Sequence, residues 1–187
     1  MPRVLDILIA ALALVVLSPL IAIAAIAIKL GSRGPVLYRQ PRVGRGEVEF
    51  ELLKLRTMVL GSDPVGIGTA VTRDDPRVTA AGRVLRRTSL DEIPNLVNVL
   101  RGEMAIVGPR PTIPAQVDDY TSRQRCRHEV RPGITGWAQI QGRAGIPWEE
   151  RIELDLDYVD RRSALLDFRI LAKTAWLLVT GHGLAPD

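Results

Sequence analysis

The sequence has few of the residues on which several common classes of function depend. Cys126 is the only cysteine among 187 residues, so an intramolecular disulfide and a metal cage of cysteine ligands are both excluded. The only histidines are His128 and His182, so metal sites and acid–base catalysis that depend on histidine are poorly supported. Aromatic residues make up 4% of the chain, too few for base-stacking surfaces, and no nucleic-acid motif is present. We therefore expect no nucleic-acid partner.

The charge balance limits the partners only coarsely. The chain has 25 basic and 21 acidic residues, which gives a net charge of +4. Taken alone, this balance suits nucleic acid, an anionic lipid surface or a polyanionic small substrate. The single cysteine agrees with a domain that faces the cytosol.

A long apolar run occupies the N-terminal part of the chain. Residues 7–28 are apolar except for Ser18 and Pro19, and the hydrocarbon core of a bilayer requires about 20 apolar residues of helix. The run therefore predicts a membrane segment. It is either a kinked helix that spans the bilayer or a re-entrant helix–break–helix that enters and leaves through one face.

Three features of this segment bear on its topology. Pro19 lacks an amide donor and crowds the carbonyl of Val15, which predicts a kink. Ser18 can donate a hydrogen bond to the carbonyl that the proline frees. Basic residues flank both ends, for example Arg3 and Lys29, and the positive-inside rule then favours a cytoplasmic location for both ends. The two topologies remain open from these residues alone.

Beyond the apolar run, the residue patterns predict an α+β domain that is rich in helix. Two short segments with turn residues between them, 36–39 and 48–52, predict a small β-hairpin. Residues 62–75 predict a loop. Apolar residues at helical spacing predict helices over 80–87, 94–101, 114–129, 148–160 and 165–180. The last helix is apolar enough to lie on a bilayer surface as an amphipathic helix or to pack in the core.

Asp91 and Glu92 are the first candidates for chemistry. Pro94 disfavours a position deep inside a helix, so the two acids are predicted at a helix N-terminus, where the backbone dipole favours negative charge. A purely local interpretation is also available, because Ser89 and Glu92 match the spacing of a capping box.

Several cations accompany the two acids. Arg86 precedes them, Lys54 and Arg56 lie in the segment 54–58, and Arg110 lies in a Gly-Pro-Arg-Pro turn. Guanidinium groups bind phosphate oxygens in a forked geometry, and Mg²⁺ prefers one or two carboxylates together with phosphate oxygens and water. The combination predicts phosphate chemistry with Mg²⁺, with the two acids as metal ligands.

Three strings of residues resemble a known family. KLRTM (54–58), RRTSLDEIPNLVNVLRGEMAIVGPRP (86–111) and VRPGITGWAQIQGR (130–143) are similar to the small monotopic phosphoglycosyl transferases. These bacterial sugar transferases initiate glycoconjugate assembly on undecaprenyl phosphate. The resemblance extends over nearly the whole chain, from the Ser-Pro pair in the apolar run to LDFRILAKTAW (166–176), with the motifs in the expected order.

The resemblance implies a reaction and a catalytic pair. Asp91 corresponds to a nucleophile that attacks the β-phosphorus of a UDP-sugar, releases UMP and forms a covalent phosphoglycosyl-aspartate, which polyprenol phosphate then discharges. Glu92 corresponds to a partner that orients or deprotonates the acceptor phosphate. Mg²⁺ held by Asp91 and Glu92 would neutralise charge on the diphosphate.

The resemblance also implies further contacts. Lys54, Arg86 and Arg110 correspond to residues that contact substrate phosphate, whereas Arg56 fits a structural ion pair as well. Gln139 and Arg143 correspond to a segment near the nucleotide and are weaker candidates.

The family likewise implies a topology. Its N-terminal helix breaks at a Ser-Pro pair and re-enters the cytosolic face, which carries over to Ser18 and Pro19. We therefore expect a monotopic α+β protein of the bacterial inner membrane, with residues 1–30 as a re-entrant membrane helix and 31–187 as a cytosolic catalytic domain. Helices in the membrane plane and a small β-hairpin complete this fold. No further N-terminal spans precede the run, so we expect the minimal catalytic form.

Two other functions are compatible with the same residues. A membrane-bound hydrolase would use the same cations and Mg²⁺ to cleave UDP-sugars with water. A non-catalytic module would bind anionic lipid through its arginines, with Asp91 and Glu92 acting only as helix caps. The sequence does not indicate the sugar, the polyprenol length or the pathway, and an exposed apolar face would suit a homodimer as well as a bilayer.

Overall fold

The computed structural model describes residues 1–62, 75–142 and 145–180. Within these residues the chain forms α1 (Arg3–Gly31), β1 (Leu37–Val43), β2 (Glu49–Leu55), α2 (Ala80–Arg87), α3 (Asn95–Arg101), β3 (Ala105–Val107), α4 (Pro114–Val117), α5 (Ser122–Arg125), β4 (Gly133–Thr135), α6 (Trp137–Gln141), α7 (Trp148–Arg161) and α8 (Ala164–Thr180). Short 3₁₀ turns cover Arg45–Glu47, Leu90–Glu92 and Cys126–Glu129. The fold is α+β, as predicted, whereas most of the predicted loop 62–75 lies outside the described residues.

Helix α1 is long and apolar enough to cross a membrane, with a mean hydropathy of 2.9 in its most apolar window. It is helical from Arg3 to Gly31, with Pro19 inside it, and the predicted break at Ser18 and Pro19 stays a prediction. Ser18 Oγ donates to the Val15 carbonyl at 2.8 Å, which confirms the predicted bond. Whether the helix spans or re-enters the membrane stays a prediction.

The predicted β-hairpin is confirmed, and its strands are longer than predicted. β1 and β2 pair antiparallel with Tyr38 opposite Lys54 and Val43 opposite Glu49. Because residues directly opposite each other share a face of the sheet, Lys54 lies on the same face as Tyr38 and Arg42. The hairpin therefore brings cations from both strands to one surface.

A second pair of strands is absent from the predictions. β3 and β4 pair in parallel, with Ala105 opposite Gly133 and Val107 opposite Thr135. The backbones approach closely, since a Cβ on Gly133 would lie 2.1 Å from the amide nitrogen of Gly108. This pairing fixes the segment that leads from β3 to Arg110.

The predicted helix over 114–129 is wrong as a single element. It is replaced by α4, α5 and a 3₁₀ turn. Thr121 starts α5 with a capping box, in which its hydroxyl accepts from the Gln124 amide and the Gln124 side chain accepts from the Thr121 amide. The other predicted helices correspond to α2, α3, α7 and α8 within a residue or two.

The core is divided among three apolar clusters, and α1 contributes to two of them. Its first half packs Ala10 beside Val99 of α3 and Ile170 of α8. Its second half packs Ala24 and Ile28 against β2 and α2. A separate cluster joins β1 to α7 through Val43, Val117, Tyr120, Ile152 and Leu156.

Candidate active site

Asp91 and Glu92 lie in the 3₁₀ turn Leu90–Glu92, immediately before α3. Ser89 precedes the turn in a left-handed conformation with φ of 56°, which costs an L-residue about 1–2 kcal/mol. Ser89 makes no side-chain cap hydrogen bond. The capping-box interpretation of Ser89 and Glu92 is therefore wrong, and the Glu92 carboxylate has other partners.

Glu92 forms ion pairs with two cations, and the three residues make up an ion-pair cluster. Its Oε1 atom accepts from Lys54 Nζ at 2.7 Å and from Arg110 Nη2 at 2.9 Å. Burial opposes ionisation of Glu92, but the charges of Arg110 and Lys54 outweigh it and hold the pKa of Glu92 well below its usual range. Glu92 therefore stays ionised and keeps two cations in place.

Asp91 has a different environment, although it is the adjacent residue. Among the described residues, no hydrogen bond or ion pair engages its carboxylate. Burial raises the pKa of Asp91 from 3.8 to about 6, and the charge of Glu92 adds to the rise, while Lys54, Arg86 and Arg110 oppose it. The result is a partly buried carboxylate that is ionised at neutral pH and more basic than an ordinary aspartate.

Arg86 is held at the edge of this cluster by α2. Its Nε donates to Thr57 Oγ1 at 2.9 Å. Burial lowers the pKa of Arg86, and the negative charge of Asp91 counteracts the change. Lys54, Arg86 and Arg110 are thus gathered around the two acids, as predicted from the sequence, although nothing in the structure tests which substrate atoms they contact.

Two of the other predicted residues lie elsewhere. Arg56 donates to the backbone carbonyls of Ser32 and Arg33, so it ties the end of α1 to β2 rather than forming the predicted ion pair. Gln139 Nε2 donates to the Ile134 carbonyl at 3.0 Å, which gives it a local structural contact. Its nucleotide role stays a prediction, and Arg143 lies outside the described residues.

Two site residues were missed from the sequence, Arg42 and Asn95. They line a small cavity beside the dyad, together with Leu52, Lys54, Glu92, Met104, Arg110, Pro111, Gly133 and Ile134. Arg42 donates to the Pro111 carbonyl at 2.9 Å, and its Nε is buried without a partner in the described part of the chain. The Asn95 side chain is buried, with its Oδ1 unpaired among the described residues. The two-residue period of β1 could have identified Arg42, whereas no pattern marks Asn95.

The donor atoms of the dyad fit Mg²⁺. No cage of three or more His, Cys, Asp or Glu residues exists in the described part of the chain. Mg²⁺ nevertheless needs only one or two carboxylates when phosphate oxygens and water complete its shell. The Asp91 carboxylate and Oε2 of Glu92, which accept no hydrogen bond from the described residues, provide such ligands.

Comparison with known proteins gives consistent matches over nearly the whole chain. The family model for bacterial sugar transferases matches residues 1–181. A UDP-glucose:undecaprenyl-phosphate glucose-1-phosphate transferase of Caulobacter vibrioides is 46% identical over 95% of this chain and 69% of its own length. An uncharacterized sugar transferase of Bacillus subtilis, EpsL, is 44% identical over 88% of this chain and 79% of its own.

A third relative is much longer than this chain. The UDP-glucose:undecaprenyl-phosphate glucose-1-phosphate transferase of Escherichia coli is 44% identical over 91% of this chain but only 38% of its own length.

Proposed function

The chain belongs to the bacterial sugar transferase family, and from that membership we propose that it transfers a sugar-1-phosphate from a UDP-sugar to undecaprenyl phosphate. The names of two relatives describe this type of transfer for those proteins. The single observation that carries the proposal here is the unpaired, basic carboxylate of Asp91 beside a Glu92 that holds Lys54 and Arg110.

In the first step, an Asp91 oxygen attacks the β-phosphorus of the UDP-sugar. A new P–O bond forms, the bond between the two phosphates breaks, and UMP leaves with the electron pair. The raised pKa of Asp91 supports this role, because a more basic carboxylate is a better nucleophile while still being ionised at neutral pH. Lys54, Arg86 and Arg110 are placed to bind the phosphate oxygens and stabilise their charge.

In the second step, an oxygen of undecaprenyl phosphate attacks the same phosphorus, and Asp91 leaves. Two roles were predicted for Glu92, orientation of the acceptor or removal of its proton. The strongly lowered pKa of Glu92 makes it a weak base, which favours orientation through the two cations that it holds. An acceptor phosphate that is already ionised needs no base.

Mg²⁺ would be held by Asp91 and the free Oε2 of Glu92. When bound, it would neutralise part of the charge on the donor diphosphate. Lys54 and Arg110 bind the other oxygen of Glu92 and line the cavity, so they would act on the phosphate oxygens together with the metal.

The packing of α1 supports a re-entrant position in the bacterial inner membrane, with the rest of the chain on the cytosolic face. At its start Arg3 donates to the Met104 and Val99 carbonyls, and Asp6 accepts from the Ile106 amide at 3.0 Å. Just beyond its end, Arg56 donates to the Ser32 carbonyl at 2.9 Å. These contacts hold both ends of α1 against the same domain, which supports a location of both ends on one side of the bilayer.

Intact-protein mass spectrometry tests the proposed reaction. Protein, Mg²⁺ and a panel of UDP-sugars are mixed without lipid acceptor. We expect an added mass of one sugar phosphate, which undecaprenyl phosphate then discharges and which Asp91→Asn does not form. Steady release of UMP without an adduct would instead indicate hydrolysis by water, whereas release of UMP only after undecaprenyl phosphate is added, with no adduct before it, would indicate direct transfer. A protein that binds no UDP-sugar and forms no adduct would contradict the proposal.

A further inference from the structure

We propose that Arg127 is a positioning residue for the transfer, because it holds the backbone of Arg110 and so aims the Arg110 side chain at Glu92 and the substrate phosphate. The inference rests on the proposed function, since it assigns a role within that reaction. Arg127 lies outside the catalytic cluster, and none of the sequence patterns indicates it.

The backbone turn that carries Arg110 is bound at three successive carbonyls. The Pro109 carbonyl accepts from the Gly133 amide at 2.9 Å, and the Pro111 carbonyl accepts from Arg42 at 2.9 Å. Between them, the Arg110 carbonyl accepts from Arg127 Nη2 at 3.1 Å. Arg127 therefore supplies the contact at the residue whose side chain reaches the site.

Arg127 is itself fixed from several directions. Its guanidinium forms a buried ion pair with Asp155 and donates from Nη1 to the Tyr120 hydroxyl at 2.6 Å. It also lies 5.8 Å from the ring centre of Tyr120 and 5.7 Å from that of Trp148. Only 3% of Arg127 is exposed. Because this planar group is held rigidly by the surrounding core, it keeps the Arg110 carbonyl in a fixed place relative to that core.

The core behind Arg127 is the cluster that joins β1 to α7. Asp155 belongs to α7, whose Ile152 and Leu156 are buried in that cluster with Tyr120. The Arg110 side chain, in contrast, is half exposed and has Glu92 as its partner in the cluster. An exposed arginine on an unanchored turn would sample many orientations, and loss of about 1 Å in placement can cost about 100-fold in rate.

A gain in folding stability is a weak explanation for the buried Arg127–Asp155 ion pair. Removing two charges from water is costly, and well-packed apolar residues often stabilise a core as much as a buried ion pair does. The Arg127–Asp155 pair also leaves Arg127 Nε and Asp155 Oδ1 buried without partners among the described residues. Placement of Arg110 is a function that an apolar pair could not supply.

A double-mutant cycle tests the inference. Arg127→Lys keeps a positive charge for Asp155 but cannot bridge Asp155 and the Arg110 carbonyl with one planar group. We expect it to lower kcat/KM by about tenfold or more, with kcat and KM changing in the same directions as in Arg110→Ala. In the Arg110→Ala background, Arg127→Lys should lower kcat/KM by less than about twofold, because the side chain that Arg127 positions is gone although the backbone carbonyl remains.

Tyr120→Phe is the matched control. It removes a hydrogen bond from Arg127 Nη1 but leaves the Nη2 contact with Arg110, so kcat/KM should stay within about twofold of the wild type. If Arg127→Lys does not fold, Arg127→Gln combined with Asp155→Asn removes both buried charges and enters the same cycle. Equal losses in both backgrounds, or a folded variant with wild-type kcat/KM, would overturn the role of Arg127. The wild-type adduct in the same experiments tests the proposed function separately.

Discussion

Asp91 and Glu92 are neighbours in the chain, yet the cations divide unequally between them. Lys54 and Arg110 both bind Glu92, through a single oxygen. Asp91 receives only their more distant charge, so burial dominates and its pKa rises to about 6. Two adjacent carboxyl groups therefore differ in basicity because of geometry, and the more basic one is free to react.

The raised pKa of Asp91 predicts that the rate of adduct formation, the first half-reaction, decreases at acid pH. Only ionised Asp91 can attack phosphorus, so kcat/KM for adduct formation should fall about tenfold per pH unit below pH about 6. Adduct formation is measured without undecaprenyl phosphate, because the acceptor phosphate itself titrates near pH 6. If kcat/KM begins to fall only near pH 4, burial does not raise the pKa of the nucleophile.

The same shift predicts a gain in stability for Asp91→Asn. The folded state binds the Asp91 proton more tightly than the unfolded state does. Protonation of Asp91 therefore stabilises the fold fully below pH 3.8, and this contribution is lost as the pH rises through about 6. At pH 7.5 the variant should therefore be more stable by about 1–3 kcal/mol. Thermal unfolding in detergent at pH 7.5 and pH 4 measures the difference. Asp119→Asn, at an exposed position, should show no gain, and equal stability of Asp91→Asn and wild type at pH 7.5 would contradict the cost of burial.

At the scale of single residues, the motifs were sufficient to predict which charged residues lie close together, whereas their catalytic roles stay predictions. Lys54, Arg86, Asp91, Glu92 and Arg110 are gathered as predicted. Arg42 and Asn95 were missed because their roles arise only when β1 and α3 face the same cavity. The two-residue period of β1 could have placed Arg42 on the face of Lys54, but no local pattern indicates that Asn95 faces the same cavity.

Among the secondary-structure elements, β3 and β4 show why some were not predictable. Each has three residues, which is too short for a hydrophobic period, and their parallel pairing joins segments that are far apart in the sequence. The helices α3 and α7, in contrast, have enough turns for apolar spacing to identify them. The restart of a helix at Thr121 was visible as a capping box but was not used.

Close approach of the backbones at this strand pair predicts a strong effect of Gly133→Ala. The added Cβ would lie 2.1 Å from the Gly108 amide nitrogen and 2.5 Å from the Thr135 carbonyl oxygen, so the backbone must move. We expect a loss of about 1–3 kcal/mol in stability. Activity should fall further than the folded fraction does, because the Gly133 amide also binds the Pro109 carbonyl.

Gly145→Ala is the matched control for this element. A Cβ on Gly145 meets no heavy atom of the described residues within 4 Å, so the stability and activity of this variant should match those of the wild type. Thermal unfolding and the rate of adduct formation measure both variants. A Gly133→Ala protein with wild-type values would show that the strand pair does not fix the turn carrying Arg110.

At the scale of the whole molecule, α1 has one side that packs on the rest of the chain and another that exposes apolar side chains. One side packs on the rest of the chain at both ends. The other exposes large apolar side chains, for example Leu12, Val15 and Val16, each at least 65% exposed. A helix of 29 residues is about 44 Å long, so length would permit a span. The contacts at both ends are what oppose one.

This packing predicts that residues before and after α1 are accessible from the same side of the membrane. In a Cys126→Ser background, Pro2→Cys and Arg33→Cys place single thiols at exposed positions beside the two ends. A membrane-impermeant maleimide should label both in inverted inner-membrane vesicles and neither in intact spheroplasts. The protein that keeps its native, exposed Cys126 reports the side on which the domain after α1 lies, and in the Cys126→Ser background Val15→Cys should be protected in both preparations. Labelling of Pro2→Cys only in spheroplasts would show that α1 spans the bilayer. The contacts of Arg3 and Asp6 with β3 and α3 could not then form in the membrane.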